Sequence, residues 1–369
     1  MAERKKSYRI RFAERNNIMK KIHINASKEY DVIISSGILK DTGKLIKDVL
    51  PVSRAAVISD DKVFALYGET VMRSLTDVGF SAVSFTFPNG EKSKNTSTYI
   101  EILEFLAENR LTRTDIIIAL GGGVTGDMAG FAAATYLRGI KFVQIPTTLL
   151  AAVDSSVGGK TGINLKAGKN LAGAFHQPSL VICDTETLKT LDTDTYLDGI
   201  SEAIKCGMIA DSSLLDKLSN DFYENIEDII SSCVSIKRDV VNCDEFDTGA
   251  RQLLNYGHTI GHAIEKCSKF EITHGHAVAI GMSVITAAAE KNGLSKAGTY
   301  ERLIKILNKW GLPTTCSFTT SELYTAALQD KKRTGNSVTL VLPEKAGKCV
   351  LYKVTTDELL KIIEKGIEK

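Results

Sequence analysis

Short apolar runs alternate with helix-period segments through the first half of the chain. Residues 30–35 (YDVIIS) and 54–59 (RAAVIS) are β-branched runs of strand length, and 97–109 (STYIEILEFLAEN) spaces its apolar residues three and four apart. Residues 115–120 (DIIIAL) form a nearly all-apolar run that ends in Gly121-Gly122-Gly123, followed by a predicted helix over 128–137. Two further short runs, 141–145 (KFVQI, stopped by Pro146) and 180–183, complete the series. Near-continuous apolar strands alternating with helices predict a parallel sheet covered on both faces. From 198 to 310 the period is almost wholly helical, so an α/β domain is followed by an all-α one. Residues 337–343 and 349–354, separated by EKAGK, predict a small hairpin, and an amphipathic helix starts at Thr356. The predicted organisation is a basic leader over 1–20, an α/β domain over 21–190 and a mainly helical domain over 191–369.

A length of 369 residues suits two such domains, and 43% hydrophobic with 24% charged residues excludes disorder, collagen and coiled coil as the main architecture. The basic excess is local. Residues 1–21 hold eight Lys/Arg against Glu3 and Glu14, which leaves 38 basic and 42 acidic residues elsewhere. The charge therefore describes a tail and not a nucleic-acid-binding face. That tail has no apolar segment of a secretory signal, its acids count against a transit peptide, and Met19 is an alternative start. Residues 272–289 lack Asp, Glu, Lys and Arg, yet His274, Gly275, His276 and three hydroxyl residues suit a buried helix better than a membrane span. Seven cysteines without a C-x-x-C read as reduced core thiols of a cytoplasmic protein.

Glycine carries the first candidate chemistry. A buried strand running into GGGVTGD and then a helix lets backbone N–H groups approach a phosphate, with the helix N-terminus behind them. The bland alternative is a tight strand-to-helix turn without a ligand. Asp127 is placed to cap that helix or to accept from a ligand hydroxyl. Residues 146–173 read as a polar, glycine-rich loop in which Lys160 and Lys169 suit phosphate or carboxylate and Asp154 suits polyol hydroxyls.

Histidine carries the second. His258 and His262 lie four apart on one helix face, and His274-Gly275-His276 opens the long apolar helix. Glu202 and Lys205 share a face in SEAIK. A catalytic metal needs about three protein ligands and an open position. Two histidines and a carboxylate drawn from Glu202, His258, His262, His274 and His276 supply them, and spacing does not say which two histidines. An H-x-x-x-H pair alone is usually two ordinary helix histidines, but four of the six histidines here fall within nineteen residues.

These runs, in this order, resemble the 3-dehydroquinate synthases, relatives of the metal-dependent glycerol dehydrogenases. The resemblance spans about residues 85–343 and rests on NGEKSK (89–94), GGGVTGDMAGF (121–131), QIPTTLLAAVDSSVGGKTGIN (144–164), GKN (168–170), SEAIK (201–205), RQLLNYGHTIGHAIE (251–265), HGHAVAIGM (274–282) and DKK (330–332). It implies a Rossmann-like parallel-sheet NAD-binding domain followed by a helical metal-binding domain, in a cytoplasmic homodimer. The metal, Zn²⁺ or Co²⁺, falls on Glu202, His258 and His274. Cofactor contacts fall on Asn89, Gly90, Glu91, Lys94, Gly122, Gly123, Val124, Asp127, Thr147, Thr148, Lys160, Lys169, Thr187, Leu188 and Thr190. Substrate contacts fall on Asp154, Asn170, Lys205, Lys237, Arg251, Asn255 and His262, with Arg138 reaching across a dimer and Lys332, in preference to Lys331, closing the set. Where the family commonly has HGEAV this chain reads HGHAV, so His276 becomes a rival to His274 for the ion. The TLDTDTYLDG segment also departs from the family's usual Arg-Glu, with little expected consequence.

The implied substrate is a seven-carbon keto-acid sugar phosphate, 3-deoxy-D-arabino-heptulosonate 7-phosphate. Transient oxidation of its ring hydroxyl by NAD⁺ acidifies the neighbouring C–H and permits phosphate loss; the returned hydride and an aldol closure give 3-dehydroquinate. The resemblance implies Lys160, Asn255, His262, Lys332 and Arg138 on phosphate, Lys237 and Arg251 on carboxylate, and His262 or the departing phosphate as proton carrier. Three competing readings stand beside this: a cyclase making an inosose or valiolone ring, a polyol dehydrogenase releasing NADH, and a catalytically dead nucleotide-binding protein.

Overall fold

The computed structural model describes residues 19–220, 222–329, 333–334 and 336–368. It has two compact units. Among the described residues, one comprises 19–188 together with Ile230–Arg251; the other comprises Lys189–Ile229 and Gln252 onward. The sequence pattern sets a single boundary near 190, and the return of Ile230–Arg251 to the first unit departs from it. A helical period reports that a segment is a helix and not which core it joins. Polar contacts tie this segment into the first unit: Glu245 accepts from the Ser27 hydroxyl (2.6 Å) and from Gln177 Nε2 (2.8 Å), and Asn242 accepts from the Asn25 N–H.

The first unit is built on a seven-stranded sheet. Its strands are β1 (Lys20–Ile24), β2 (Tyr30–Ser35), β3 (Arg54–Asp60), β4 (Ser81–Phe87), β5 (Ile116–Gly121), β6 (Lys141–Pro146) and, after a separate hairpin of β7 (Lys160–Leu165) and β8 (Gly168–Phe175), β9 (Leu180–Asp184). The spatial order is β1-β2-β9-β6-β5-β3-β4, parallel throughout except at the β1–β2 edge. Side-chain alternation gives the sheet two apolar faces. Val57, Ile116, Ile118 and Ile182 join one buried cluster, and Ala56, Ile58, Ile117 and Phe142 the other. The connection leaving β3 goes outward to β4, and the one leaving β5 goes the opposite way to β6. The carboxyl ends of β3 and β5 therefore flank a topological switch point, where parallel sheets bind ligands.

Two local expectations need correction. The helix after the glycines spans Gly123–Thr135 and not 128–137. Gly126 hid its start, because glycine weakens a helix by about 1 kcal/mol relative to alanine, as Gly130 does further along. Tertiary packing demands them: a Cβ on Gly126 would lie 2.7 Å from Gln144 Oε1, and one on Gly130 2.5 Å from Thr161 Cγ2. Residues 146–173 are also not one loop. They contain a helical turn at Ala151–Ser155 and the antiparallel β7–β8 hairpin.

The second unit is helical. Thr193–Ile209, His258–Cys267 and His274–Lys291 are its central helices, and the C-terminal Thr356–Ile367 helix is started by a Thr355–Glu358 capping box. A three-stranded sheet of β10 (Arg333–Thr334), β11 (Ser337–Lys345) and β12 (Lys348–Thr355) contains the expected hairpin. Within the apolar stretch 272–289 a helix starts at His274, its residues 277–289 are all buried, and among the described residues no helix is long and apolar enough to cross a membrane.

Candidate active site and metal centre

In the second unit, three side chains converge. Glu202 comes from the middle of Thr193–Ile209, His258 from the first position of its helix, and His274 from the first position of the next. The two histidine helices pack backbone to backbone, since a Cβ on Gly281 would lie 2.0 Å from the Gly257 carbonyl oxygen. Glu202 Oε1 is 3.8 Å from His258 Nε2 and 3.7 Å from His274 Nε2. These separations are too long for hydrogen bonds. They are close to the edge of about 3.4 Å expected between ligands that each sit about 2.0–2.1 Å from one tetrahedral ion. Oε1 is fully buried and makes no hydrogen bond, while Lys205, one turn along the same helix, pairs with Oε2. A buried carboxylate oxygen left without a donor costs stability unless a cation meets it. The donor set, one carboxylate and two imidazoles, suits Zn²⁺ or Co²⁺. The His274 side chain is one-third exposed, which leaves a side from which a further ligand can enter.

Both imidazoles are turned by a partner on their other nitrogen. His258 Nδ1 lies 3.1 Å from the Tyr256 carbonyl, and His274 Nδ1 lies 3.2 Å from Glu265 Oε2, so each Nε2 faces Glu202. Burial works against the cationic form of His274, but the Glu265 hydrogen bond and the charges of Glu202 and Glu265 outweigh it and raise its pKa above the ordinary imidazole value. His262 adjoins the set, its ring centroid 5.4 Å from that of His258 and 6.0 Å from that of His274, and with Glu265 and His274 it forms an overlapping second group. His276 belongs to neither group. Its Nδ1 turns away to Asp198 Oδ1 (3.1 Å) and the Thr273 hydroxyl (2.7 Å).

In the first unit, Gly121–Gly123 end β5 and open the Gly123–Thr135 helix. No side chain caps that helix start, and a Cβ on Gly122 would lie 2.9 Å from Thr148 Cγ2. A helix N-terminus left open at the switch point is suited to an anion such as a phosphate. Asp127 lies inside the helix and does not cap it. It pairs with the buried Lys94 at 2.5 Å, and Lys94 also donates to Asn170 Oδ1 (2.6 Å). Glu91 joins the same network by accepting from Asn164 Nδ2. Asn89, whose N–H goes to Asp61, and Gly90 stand on the loop after β4. Val124 is half-buried on the helix, Thr147 donates its N–H to the Gly121 carbonyl, and Lys169 is half-buried on β8. Thr187 and Leu188 are buried in the turn after β9, where the Thr187 hydroxyl donates to the Asp184 carbonyl, whereas Thr190 is exposed and belongs to the second unit.

The returning segment supplies cations. Lys237 donates to the Asp154 carbonyl (2.6 Å) and pairs with the Asp154 carboxylate; Lys160 pairs with Asp247 at 2.5 Å. Arg251 is buried, donates to the Gly158 carbonyl (2.9 Å) and to the Glu245 carbonyl, and keeps an Nε–H that makes no hydrogen bond. Gly158 has to be glycine: its φ is 92° and a Cβ there would lie 2.4 Å from Arg251 Nη2. Arg138 is exposed, and Leu137 and Arg138 both hold left-handed backbone (φ 51° and 67°), a strained arrangement for two successive non-glycine residues. Asn255 and His262 are half-buried in the second unit, and Lys331 and Lys332 lie outside the described residues.

The sequence reading missed four acids: Asp198, Asp244, Asp247 and Glu265. Each acts through a partner distant in sequence or through backbone, so no spacing rule announces it. Asp244 shapes the loop that presents Arg251. Partial burial opposes its ionisation, but the N–H groups of Arg251, Thr248 and Gly249 outweigh that and bring its carboxyl down to about 2. Because the folded pKa lies below the unfolded value of about 3.9, this stabilisation is complete above that value and is lost as pH falls toward 2. Asp244→Asn should therefore melt a few degrees lower than the parent at pH 7, with the gap closing toward pH 2; melting curves from pH 7 to 2 check it, and a constant gap refutes it.

Family models of the 3-dehydroquinate synthase N-terminal and C-terminal regions match residues 84–198 and 199–333. A 3-dehydroquinate synthase of Streptococcus suis (strain 05ZYH33) is 46% identical over 343 residues, covering 91% of this chain and 97% of that one. The chain belongs to the 3-dehydroquinate synthase family. Among solved structures, 2-deoxy-scyllo-inosose synthase complexed with carbaglucose-6-phosphate, NAD⁺ and Co²⁺ matches with a TM-score of 0.84 and 27% identity, over 94% of this chain and all of that one. A 2-epi-5-epi-valiolone synthase from Streptomyces hygroscopicus with NAD⁺ and Zn²⁺ matches at 0.82 and 26%, over 91% and 96%. As a 3-dehydroquinate synthase family enzyme, this chain is a lyase of the shikimate pathway, and the order of its two units, parallel sheet then helices, is that of these relatives.

Proposed function

We propose that the chain converts 3-deoxy-D-arabino-heptulosonate 7-phosphate to 3-dehydroquinate and phosphate, using NAD⁺ without net consumption and a divalent ion, Zn²⁺ or Co²⁺, held by Glu202, His258 and His274. The observation that carries the metal reading is Glu202 Oε1, buried, without a hydrogen bond, and faced by two imidazole nitrogens. When bound, NAD⁺ supplies reversible oxidation of a ring hydroxyl, and the ion lowers the pKa of that hydroxyl.

The remaining work belongs to the chain's own groups. The uncapped helix start at Gly122–Gly123 receives the cofactor's pyrophosphate, and Lys94, held by Asp127 and Asn170, keeps a cation beside it. Asp154 accepts from substrate hydroxyls, and its pairing with Lys237 holds the carboxylate in place. Arg251 and Lys237 bind the substrate carboxylate, for which the spare Nε–H of Arg251 is suited. Lys160, Asn255, His262, Lys332 and, from a second copy, Arg138 bind the phosphate; the strained exposed turn at Arg138 supports that role in a homodimer. His262 moves a proton at its imidazole, with the departing phosphate as the other carrier. Cysteines without paired spacing support a cytoplasmic setting.

Phosphate release from the heptulosonate, with catalytic NAD⁺ and with or without a chelator, tests the reading. Expected are many phosphates per NAD⁺, steady absorbance at 340 nm, loss of turnover with chelator, and no release from glucose 6-phosphate. Stoichiometric NADH would mark a polyol dehydrogenase instead, and turnover of glucose 6-phosphate an inosose-forming enzyme.

A further inference from the structure

The His274 helix starts without the cap its own sequence offers. Thr273 occupies the N-cap position with extended backbone (φ −67°, ψ 161°), yet its hydroxyl caps nothing in that helix. It donates instead to Asp198 Oδ1 at 2.6 Å. The same oxygen accepts the backbone N–H of His276 at 3.2 Å, a first-turn donor that an N-cap side chain ordinarily satisfies. His276 Nδ1 lies 3.1 Å from that oxygen and 2.7 Å from the Thr273 oxygen. Since the carboxylate only accepts and the Thr273 O–H is already committed to it, Nδ1 carries the proton and donates. Asp198 is thus a cap borrowed from another helix, and its negative charge sits at a helix N-terminus, where the peptide dipoles favour it.

Placement gives this cap its consequence. Asp198 stands four residues before Glu202 on the same helix, so the capping carboxylate and the ligating carboxylate lie one turn apart on one face. The helices touch at this point: a Cβ on Gly275 would lie 2.3 Å from Asp198 Cα. One residue earlier comes His274, whose Nε2 is 3.7 Å from Glu202 Oε1.

We propose that Asp198 is a positioning residue for the metal centre, fixing the start of the His274 helix against the Glu202 helix and so setting the distance between these two ligands. The proposal rests on the Glu202–His258–His274 metal reading. His276 acts as the third donor that keeps the Asp198 carboxylate in place, which gives the departure from HGEAV a structural role.

Competition titration of the full-length protein with a chromophoric Zn²⁺ chelator, together with the visible absorption spectrum of the Co²⁺ form, tests it. Asp198→Ala should weaken Zn²⁺ binding by about 10- to 100-fold, the range seen when a group orienting a metal ligand is removed, and should alter the Co²⁺ bands. Asp198→Asn, which still accepts from Thr273 and the His276 N–H, should recover most of the affinity. Thr273→Val should lose several-fold, and it decides the matter if Asp198→Ala does not fold. A parent protein that binds no Zn²⁺ would overturn the metal reading itself. Zn²⁺ affinity within two-fold of the parent in folded Asp198→Ala, or in Thr273→Val where the alanine variant fails to fold, would overturn the positioning role alone.

Discussion

Glu202→Gln should purify without metal and release phosphate at least about 10³-fold more slowly than the parent, a loss of about 4 kcal/mol at 1.4 kcal/mol per tenfold. Glutamine has the size of glutamate but no charge, so the site keeps its shape and loses the one anion of the proposed ligand set. The same change exposes the other function of this carboxylate. Lys205 and Glu202 are almost wholly buried as a pair. Removing one member of a buried pair typically costs about 3–5 kcal/mol, because the remaining charge loses its counter-charge. The variant should therefore also melt well below the metal-free parent. Combining Glu202→Gln with Lys205→Met removes the buried ammonium as well, and should recover stability without recovering metal. Metal analysis and melting of the parent, the single variant and the double variant check both parts; a metal-loaded Glu202→Gln protein contradicts the assignment of ligands.

Arg251→Ala should raise the KM for the heptulosonate by about 100-fold while leaving metal content unchanged. A hydrogen bond to a charged group contributes about 1.5–3 kcal/mol, which sets that scale. Metal content should hold because Glu202, His258 and His274, the proposed ligands, belong to the other unit. Stability should fall as well, since the Gly158 and Glu245 carbonyls lose their donor. Arg251→Lys keeps the charge but not the planar fork. It should recover only part of either loss, because the three donors of a compact ammonium radiate from one atom and do not reach the positions that the fork spans. Steady-state kinetics beside metal analysis separate these effects, and a variant that loses zinc with KM unchanged would contradict the role given to Arg251.

The regular elements and the inventory of chemistry were legible in one dimension. Strands β2, β3, β5, β6 and β9 fall on the apolar runs that announce them, because a strand buried on both faces needs nearly every position apolar. The capping box at Thr355–Glu358 fixes the start of the last helix where the pattern places it. Glu202, His258 and His274 were legible as metal-type donors in a helical domain, though spacing left four histidines to choose among, and only the family motif narrowed the choice.

Which side chains meet was settled by packing in three dimensions. His258 and His274 are sixteen residues apart, and they approach because glycines at 257 and 281 let two helices pack at backbone distance. His276 serves Asp198 because a helix start with unsatisfied N–H groups needed an acceptor, and the one in place came from another helix. Ile230–Arg251 joined the first unit because its polar side chains found partners there. In each case the deciding quantity was the satisfaction of a buried polar group or the room for a Cβ, and both are properties of neighbours that one-dimensional order does not record.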